Sequence, residues 1–581
     1  MMYKKIFLTT AVMACSITMM AQTLATSYKG TSNGNPLSPF VFCADPTALE
    51  YNGRLYVYGT NDHQEFLANG KKGDNTYGNI KSIVVFSTAD MVNWTFHGTI
   101  DTKKICNGWV TSPWYQSYGV SWAPSVTWRT NPETGEDEFF LYFCNSSHGV
   151  GVLKANSPIG PFKSPLNKLM IHYNTPGANP QGTYANFDPG VTIDDNGVGW
   201  ISFGGLGPSE IMPDAARIVK LKPSMTEVDG SAVKIHAPYH FEANELNVIG
   251  GKYVYTYCSN WANRDNNQWN AYKSEHNISV SAPGGGTMCY MVSDNPLDPN
   301  SWVYKGAYGP GVNGNNHSHL QKFKGNYYHI YHDHGSVLLD EMKKAGAVDA
   351  SAGDYRSICV VKATVNESSS TVSPVTLGIE GCDAIDTMNP YELQQAETMA
   401  TGGGIEYEDF TNVKKNTRIS TLGNDASENM QVKMDAGDWT LVKKVDFGTT
   451  GAARFTLRAK GTGTLEIRFS RKGAKASATV NFSSTEMEDF TIDVNPELFK
   501  GVRTAFFVVT SATDAYIDAW QFTEAQPDGI VETVSSPAVQ RRHYDLSGRR
   551  LSDVGQHHGI VVEQYIDGNG VTHHRKRVSG N

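Results

Sequence analysis

The chain is 581 residues long, more than one hydrophobic core organises, so two or three domains are expected. Its formal net charge of −9 argues against nucleic acid or an anionic membrane as the partner. With 56 glycines and 11% aromatic residues, strands and turns are favoured over helical bundles.

In chain order, residues 1–21 come first. They join a basic start (Lys4, Lys5) to an apolar stretch and small residues near Ala21. That is a secretory signal peptide, which places the mature protein outside the cytosol: secreted, periplasmic or on the cell surface. A lipid anchor at Cys15 is the alternative, although "AVMAC" is a poor match for one. No other stretch approaches the roughly 20 apolar residues a membrane-spanning helix needs. The cysteines beyond the signal are scattered, with no CxxC and no zinc spacing; they read as buried thiols with one disulfide at most.

From residue 30 to 364, five runs share one pattern: "GRLYVYG" from Gly53, "EDEFFLYF" from Glu136, "GVGWISFGG" from Gly197, "GKYVYTYCS" from Gly251 and "GNYYHIYH" from Gly325. Each alternates aromatic or β-branched residues with others after a polar turn. Other strands fit between them, so four strands per unit and five units give an all-β fold, a five-bladed β-propeller. A long β-sandwich is the competing architecture. Just upstream of these runs lie Asp45, Asp188, Glu242 and His317, eight or nine residues before Gly53, Gly197, Gly251 and Gly325. Ser125 holds a comparable place in the second unit. If each run is the second strand of a blade, these side chains converge on the propeller axis.

Residues 365–390 are polar and turn-rich, a linker or crossover. Residues 391–525 form a second β-rich unit whose alternation suggests a β-sandwich. Residues 526–581 are a tail with the basic stretches "RRHYDLSGRRL" and "HHRKR".

Three acids gathered at one axis meet the specification for glycoside hydrolysis. One carboxyl must be protonated to donate to the leaving oxygen, another ionised, and a third acid nearby raises the pKa of the first. Calcium binding is the other use of clustered acids, but no EF-hand-like run is present; "DDNG" at Asp194 reads as a β-turn.

With these motifs in order, residues 35–363 resemble glycoside hydrolase family 43, a five-bladed propeller family. The resemblance rests on "ADPTALEYNGRLYVYGTND", "FSTADMVNWTFHG", "WAPSV" with "SPIGPF", "FDPGVTIDDNGVGWISFGG", "FEANELNVIGGKYVYTYCSN" and "GNNHSHLQKFKGNYYHIYH". It implies Asp45 as general base, Asp188 as pKa modulator and Glu242 as general acid, with Glu245 the rival acid. It also implies inversion, with Asp45 activating a water and the two carboxyls roughly 6.5–9.5 Å apart. No cofactor is required for that chemistry. His317 reads either as a hydrogen-bonded structural histidine or as the ligand of a calcium or sodium ion completed by waters, with His319 the alternative. Trp122 is a sugar platform or core, Asp62 a turn residue or substrate contact, and Arg356 a substrate contact or an ion-pair partner of Asp188.

Residues 393–522 resemble carbohydrate-binding module family 6, on "QQAETMATGGGIEYE", "AGDWTLVKKVDFG" and "YIDAWQF". Where that family carries a stacking Trp this chain has Met487, and Tyr516 stands where an Asn is common. Sugar binding through Tyr407 or another loop face, or packing against the propeller, are the open roles. The last fifty or so residues resemble a type IX secretion sorting domain. Together these resemblances imply an α-L-arabinofuranosidase acting on arabinoxylan-type plant cell-wall polysaccharide. β-Xylosidase and endo-arabinanase are the alternatives on this scaffold, and a catalytically silent glycan-binding propeller is the alternative of another class.

Overall fold

The computed structural model describes residues 23–526 apart from 114, 116, 313, 334–336 and 414–428. Beyond these it describes residues 540–544, 550–552, 559–566 and 572–579. The signal segment 1–21 lies outside the described residues.

Blade 1 is β1 (Ala44–Tyr51), β2 (Arg54–Thr60), β3 (Ile83–Thr88) and β4 (Trp94–Ile100). Blade 2 is β5 (Trp122–Thr130), β6 (Asp137–Cys144), β7 (Gly149–Ala155) and β8 (Ile171–His172). Blade 3 is β9 (Gly190–Ile193), β10 (Gly199–Phe203), β11 (Arg217–Leu221) and β12 (Val228–Lys234). Blade 4 is β13 (His240–Ile249), β14 (Lys252–Ser259), β15 (Met288–Ser293) and β16 (Val303–Gly309). Blade 5 is β17 (Ser318–Phe323), β18 (Asn326–Asp333) and β19 (Ser357–Ala363). Within each blade, strands pair in sequence order. The first strands β1, β5, β9, β13 and β17 pack neighbour to neighbour, and β17 closes on β1.

The five aromatic runs are the second strands, as their pattern predicts. The tight turns follow from local chemistry. Asn52–Gly53, Gly250–Gly251 and Lys324–Gly325 all have positive φ and join residues in direct register, such as Tyr51 with Arg54. That is the backbone of a two-residue hairpin turn, which suits the right-handed twist of paired strands. "DDNG" is the expected turn: Gly197 N donates to Asp194 O at 2.8 Å.

Blade 5 has three strands, not four. The chain entering blade 1 covers its outer edge instead. Leu37 N donates to Ile358 O and Cys43 N to Arg356 O, both at 2.9 Å, and the Asn35 amide bonds both backbone groups of Val360. The first and last parts of the propeller are thereby locked together, which removes a free strand edge.

The sandwich module is built on the long strands Ala452–Phe469, Ala478–Asp493 and Val502–Glu524. Its short strand Thr398–Met399 extends the blade 1 sheet by pairing with Thr95 and Trp94 of β4. Phe40 and Phe96 of the propeller share one buried cluster with Ile405, Tyr407 and Phe410 of the module. Propeller and module fall in one compact unit that runs to Glu524. Residues 365–390 pack along the fold: Asn35 N donates to Ile379 O and Gly34 N to Glu380 O. From Ala525 a second unit begins, with a four-stranded sheet of Arg550–Leu551, Gln540–Tyr544, Gly559–Ile566 and Thr572–Ser579 in that order. The described cysteines are all free thiols, and only Cys382 is not fully buried, so the disulfide allowed for by the sequence does not form among them.

Candidate active site

The first strands of blades 1, 2 and 4 carry a bulge at the same point. Ala44 pairs with Thr60 and Thr47 with Tyr58; Trp122 pairs with Cys144 and Ser125 with Tyr142; Glu242 pairs with Cys258 and Glu245 with Thr256. Two residues on the first strand therefore oppose one on the second. In blade 3, Gly204 N donates to Phe187 O and Gly190 pairs with Ser202, the same arrangement. The residue inside each bulge is left-handed without being glycine: Asp45 (φ 47°), Ala123 (φ 41°), Asp188 (φ 40°) and Ala243 (φ 63°). Each costs on the order of 1–2 kcal/mol in an L-residue, and such strain concentrates where a side chain must be aimed.

The bulges aim Asp45 and Asp188 into one small cavity of about 160 Å³, lined also by Tyr77, Trp122, Ala123, Phe187, Glu242, Asn315 and Arg356. Blades 2 and 4 place alanine in the bulge, which leaves room. Glu242 enters one residue earlier, at the place of Ala44 and Trp122.

The three carboxyls have different surroundings. Asp45 Oδ1 accepts from Arg356 Nη1 at 2.8 Å and lies 3.2 Å from His332 Nδ1. Burial by itself would raise its pKa, but the Arg356 guanidinium leads the groups that hold the carboxyl well below the usual range. Asp188 Oδ2 accepts from Ala243 N at 2.8 Å, and burial followed by the Asp45 charge raises its pKa. Glu242 receives no hydrogen bond among the described residues. Burial first, then the negative charges of Asp188 and Asp45, push it well above an ordinary glutamate. Ionised together, Asp188 and Glu242 would repel one another, so they titrate as a pair. The backbone donor on Asp188 favours its ionised form, so Glu242 is the more strongly held in its protonated form of the two.

The sequence model of Glycosyl hydrolases family 43 matches residues 34–346. The chain belongs to family 43 of the glycosyl hydrolases. The model of the carbohydrate binding module (family 6) matches residues 395–524. The chain is 34% identical over 529 residues to the arabinoxylan arabinofuranohydrolase of Bacillus subtilis (strain 168), covering 87% of this chain and 95% of that protein. It is 34% identical over 513 residues to the arabinoxylan arabinofuranohydrolase of Paenibacillus polymyxa, covering 84% of this chain and 74% of that one. The crystal structure of a family 43 arabinoxylan arabinofuranohydrolase from Bacillus subtilis in complex with cellotetraose aligns with a TM-score of 0.73 at 32% identity, over 86% of this chain and 99% of that chain.

On this family 43 propeller the remaining sequence candidates fall into place unevenly. Trp122 lines the cavity, held by its Nε1 donating to Tyr77 O at 2.9 Å and set edge-on to Phe187. Arg356 also lines it, but its ion-pair partners are Asp45 and Asp62, and no bond to Asp188 forms. Asp62 is not a substrate contact: it is fully buried, and both its oxygens accept from the Arg356 side chain, at 2.8 and 2.9 Å. Ser125 is the counterpart of Thr47, one layer below the cavity, because Ala123 occupies the bulge. Glu245 lies in that lower layer too, 3.1 Å from His319 Nδ1, and does not line the cavity.

His317 Nδ1 sits 3.7 Å from Asp45 Oδ1 and 3.9 Å from Asp188 Oδ2. Burial lowers its pKa to about 3, so the ring is neutral, and its buried Nε2 has no hydrogen-bond partner among the described residues. No three His, Cys, Asp or Glu side chains gather to hold a metal among the described residues. The open Nε2 of His317 is a candidate metal donor there.

Sequence reasoning missed Tyr77, Phe187, Asn315 and His332. The loop residues Tyr77 and Asn315 carry no periodic signal. His332 ends the aromatic run of blade 5 and reads there as one more strand residue.

In the module, Tyr407 is buried against His63 and Phe96 and presents no face to a sugar. The ring of Tyr516 lies under Lys460 Nζ at 4.8 Å.

Proposed function

We propose that this cavity removes single α-L-arabinofuranosyl groups from arabinoxylan-type plant polysaccharide by hydrolysis with inversion. The observation that carries the mechanism is the opposite electrostatics of two carboxyls in one cavity: Asp45 is held ionised by Arg356, while Glu242, with no donor among the described residues, is pushed toward its protonated form. Asp45 takes a proton from water as that water attacks the anomeric carbon. Glu242 gives its proton to the leaving glycosidic oxygen. Asp188 keeps Glu242 protonated until it is needed, and its grip on Ala243 N fixes the strand that carries the acid.

The cavity of about 160 Å³ is smaller than the roughly 300–1,000 Å³ of a drug-sized ligand site, which suits one terminal sugar rather than a threaded chain. The names of the two relatives that share a third of their residues with this chain support arabinose and arabinoxylan. A calcium or sodium ion at the axis would take His317 Nε2 as its protein donor and waters for the rest. It would supply positive charge near the acids, and the proton transfers need only Asp45 and Glu242. The signal-like N-terminus supports action outside the cytosol, and no helix among the described residues is long and apolar enough to cross a membrane.

The test is sugar release from wheat arabinoxylan, followed by NMR of the first-formed anomer, with Glu242→Gln alongside. Free arabinose of inverted configuration from the parent, and none from the variant, is the expected result. Xylose or arabino-oligosaccharides would move the substrate, and a retained anomer would overturn the mechanism. No product on arabinoxylan or arabinan would favour a glycan-binding propeller.

A further inference from the structure

We propose that the sandwich module braces the catalytic base, acting through the helix that follows β2. The proposal rests on Asp45 being the base. The helix is α1 (Asp62–Ala68), a short buried segment. Its first residue, Asp62, accepts from Arg356 Nε, Nη2 and backbone N. A guanidinium is a rigid planar fork, so fixing two of its nitrogens fixes the third. That third nitrogen, Nη1, donates to Asp45. The position of α1 therefore sets the direction from which Asp45 is held.

The module grips α1 near both ends. Near the start, the Tyr407 ring lies 4.7 Å from the ring of His63, the residue after Asp62. His63 is in turn tied to the strand leading into Asp45: its N donates to Phe42 O at 3.0 Å, and its Nδ1 accepts from Phe42 N. Just past the end, Lys71 pairs with Glu406 at 3.0 Å and Glu408 at 3.7 Å, while Lys71 N donates back to Phe66 O. Phe410 packs on Phe40 and Phe96 at 4.6 and 5.0 Å, and the Thr398–Met399 strand is bonded to β4. The contact joins a buried ring packing at the start of α1 to a partly exposed ion pair just past its end, and the Phe410 and Thr398–Met399 contacts hold the module on the same side of blade 1.

The experiment uses the full chain and a small soluble substrate, 4-nitrophenyl α-L-arabinofuranoside, with 4-nitrophenyl β-D-xyloside if the parent prefers it. A sugar-binding role for the module would not affect so small a substrate. Its leaving group departs with little help from an acid, so a loss reports on the base side. Tyr407→Ala should lower kcat about tenfold with KM within about twofold, the signature of an interaction made in the transition state. Tyr407→Phe, which keeps the ring on His63, should retain at least about half of kcat. Asp62→Asn should lower kcat about a hundredfold, and the double variant should be no worse than Asp62→Asn alone, because both act through one fork.

Wild-type kcat in a folded Tyr407→Ala protein, or losses that multiply in the double variant, would overturn the brace. Should Tyr407→Ala not fold, Lys71→Met reads the far grip without opening the core: a drop in kcat of about threefold supports the brace and no drop overturns it. Asp45→Asn, run beside them, separates the two ideas. Full activity there would sink the base assignment whatever Tyr407 does.

Discussion

At the scale of residues, the proposed division of labour between Asp45 and Glu242 rests on which of the two receives hydrogen bonds. Asp45 and Glu242 line one cavity, yet only Asp45 has a guanidinium. Asp45→Asn should therefore abolish hydrolysis of every substrate. Glu242→Gln should cost about 10²–10⁴-fold on arabinoxylan but much less on an aryl glycoside whose leaving group needs no proton; comparing kcat/KM on the two substrates checks this. The pH profile follows with its sign. Asp45 is held low and Glu242 is pushed high, so kcat/KM should be flat across a wide range, falling on the acid side as Asp45 protonates and on the alkaline side as Glu242 ionises. Asp188→Asn removes a negative neighbour, which lowers the Glu242 pKa. The alkaline limb should then move to lower pH, and a limb that stays in place would refute the modulating role. The three acids were legible in the sequence as residues upstream of repeated runs. Their protonation states were not, because those depend on Arg356, more than three hundred positions from Asp45.

At the scale of elements, the repeated bulge is what places the acids. Asp188 and Glu242 both stand nine residues before a turn glycine, which makes them look equivalent. They are not: the blade 3 turn is longer, with Ile193 facing Gly199, while blade 4 turns directly from Ile249 to Lys252. Equal counts therefore conceal a one-residue difference in register, and one residue sends a side chain to a different place. The lower layer of the bulge explains "FDPG". A Cβ on Gly190 would lie 2.5 Å from Glu245 Cα and 2.7 Å from Asn244 O, so β9 approaches β13 as closely as it does only because that position is glycine. Gly190→Ala should destabilise the protein by about 1–3 kcal/mol through overpacking and weaken activity, since Asn244 also bonds Asp188 O. Denaturant unfolding monitored by tryptophan fluorescence measures the first effect.

At the scale of the whole molecule, the sandwich is joined to the propeller by a shared core and a shared sheet. Two domains with separate cores would unfold separately; a common core makes one cooperative transition the expectation. Calorimetry of the protein should show propeller and module melting together. Phe410→Ala, which empties a site between Phe40 and Phe96, should cost about 3–5 kcal/mol and lower that whole transition. Two resolved transitions in the parent protein would contradict the shared core.

By itself, the sequence determined the propeller, the sandwich and the short set of acids the site draws on, Asp45, Asp188 and Glu242 or Glu245. Those follow from local alternation, turn residues and ordered motifs, all of which act over a few positions. Tertiary structure alone decided that Asp62 and Arg356 form a clamp on Asp45, that Tyr407 is buried, that blade 5 is completed by residues 35–43, and that Glu245 stays below the cavity. Each of these is a contact between segments far apart in the chain. Burial and charge pairing, which no local pattern encodes, select among the roles a residue type allows.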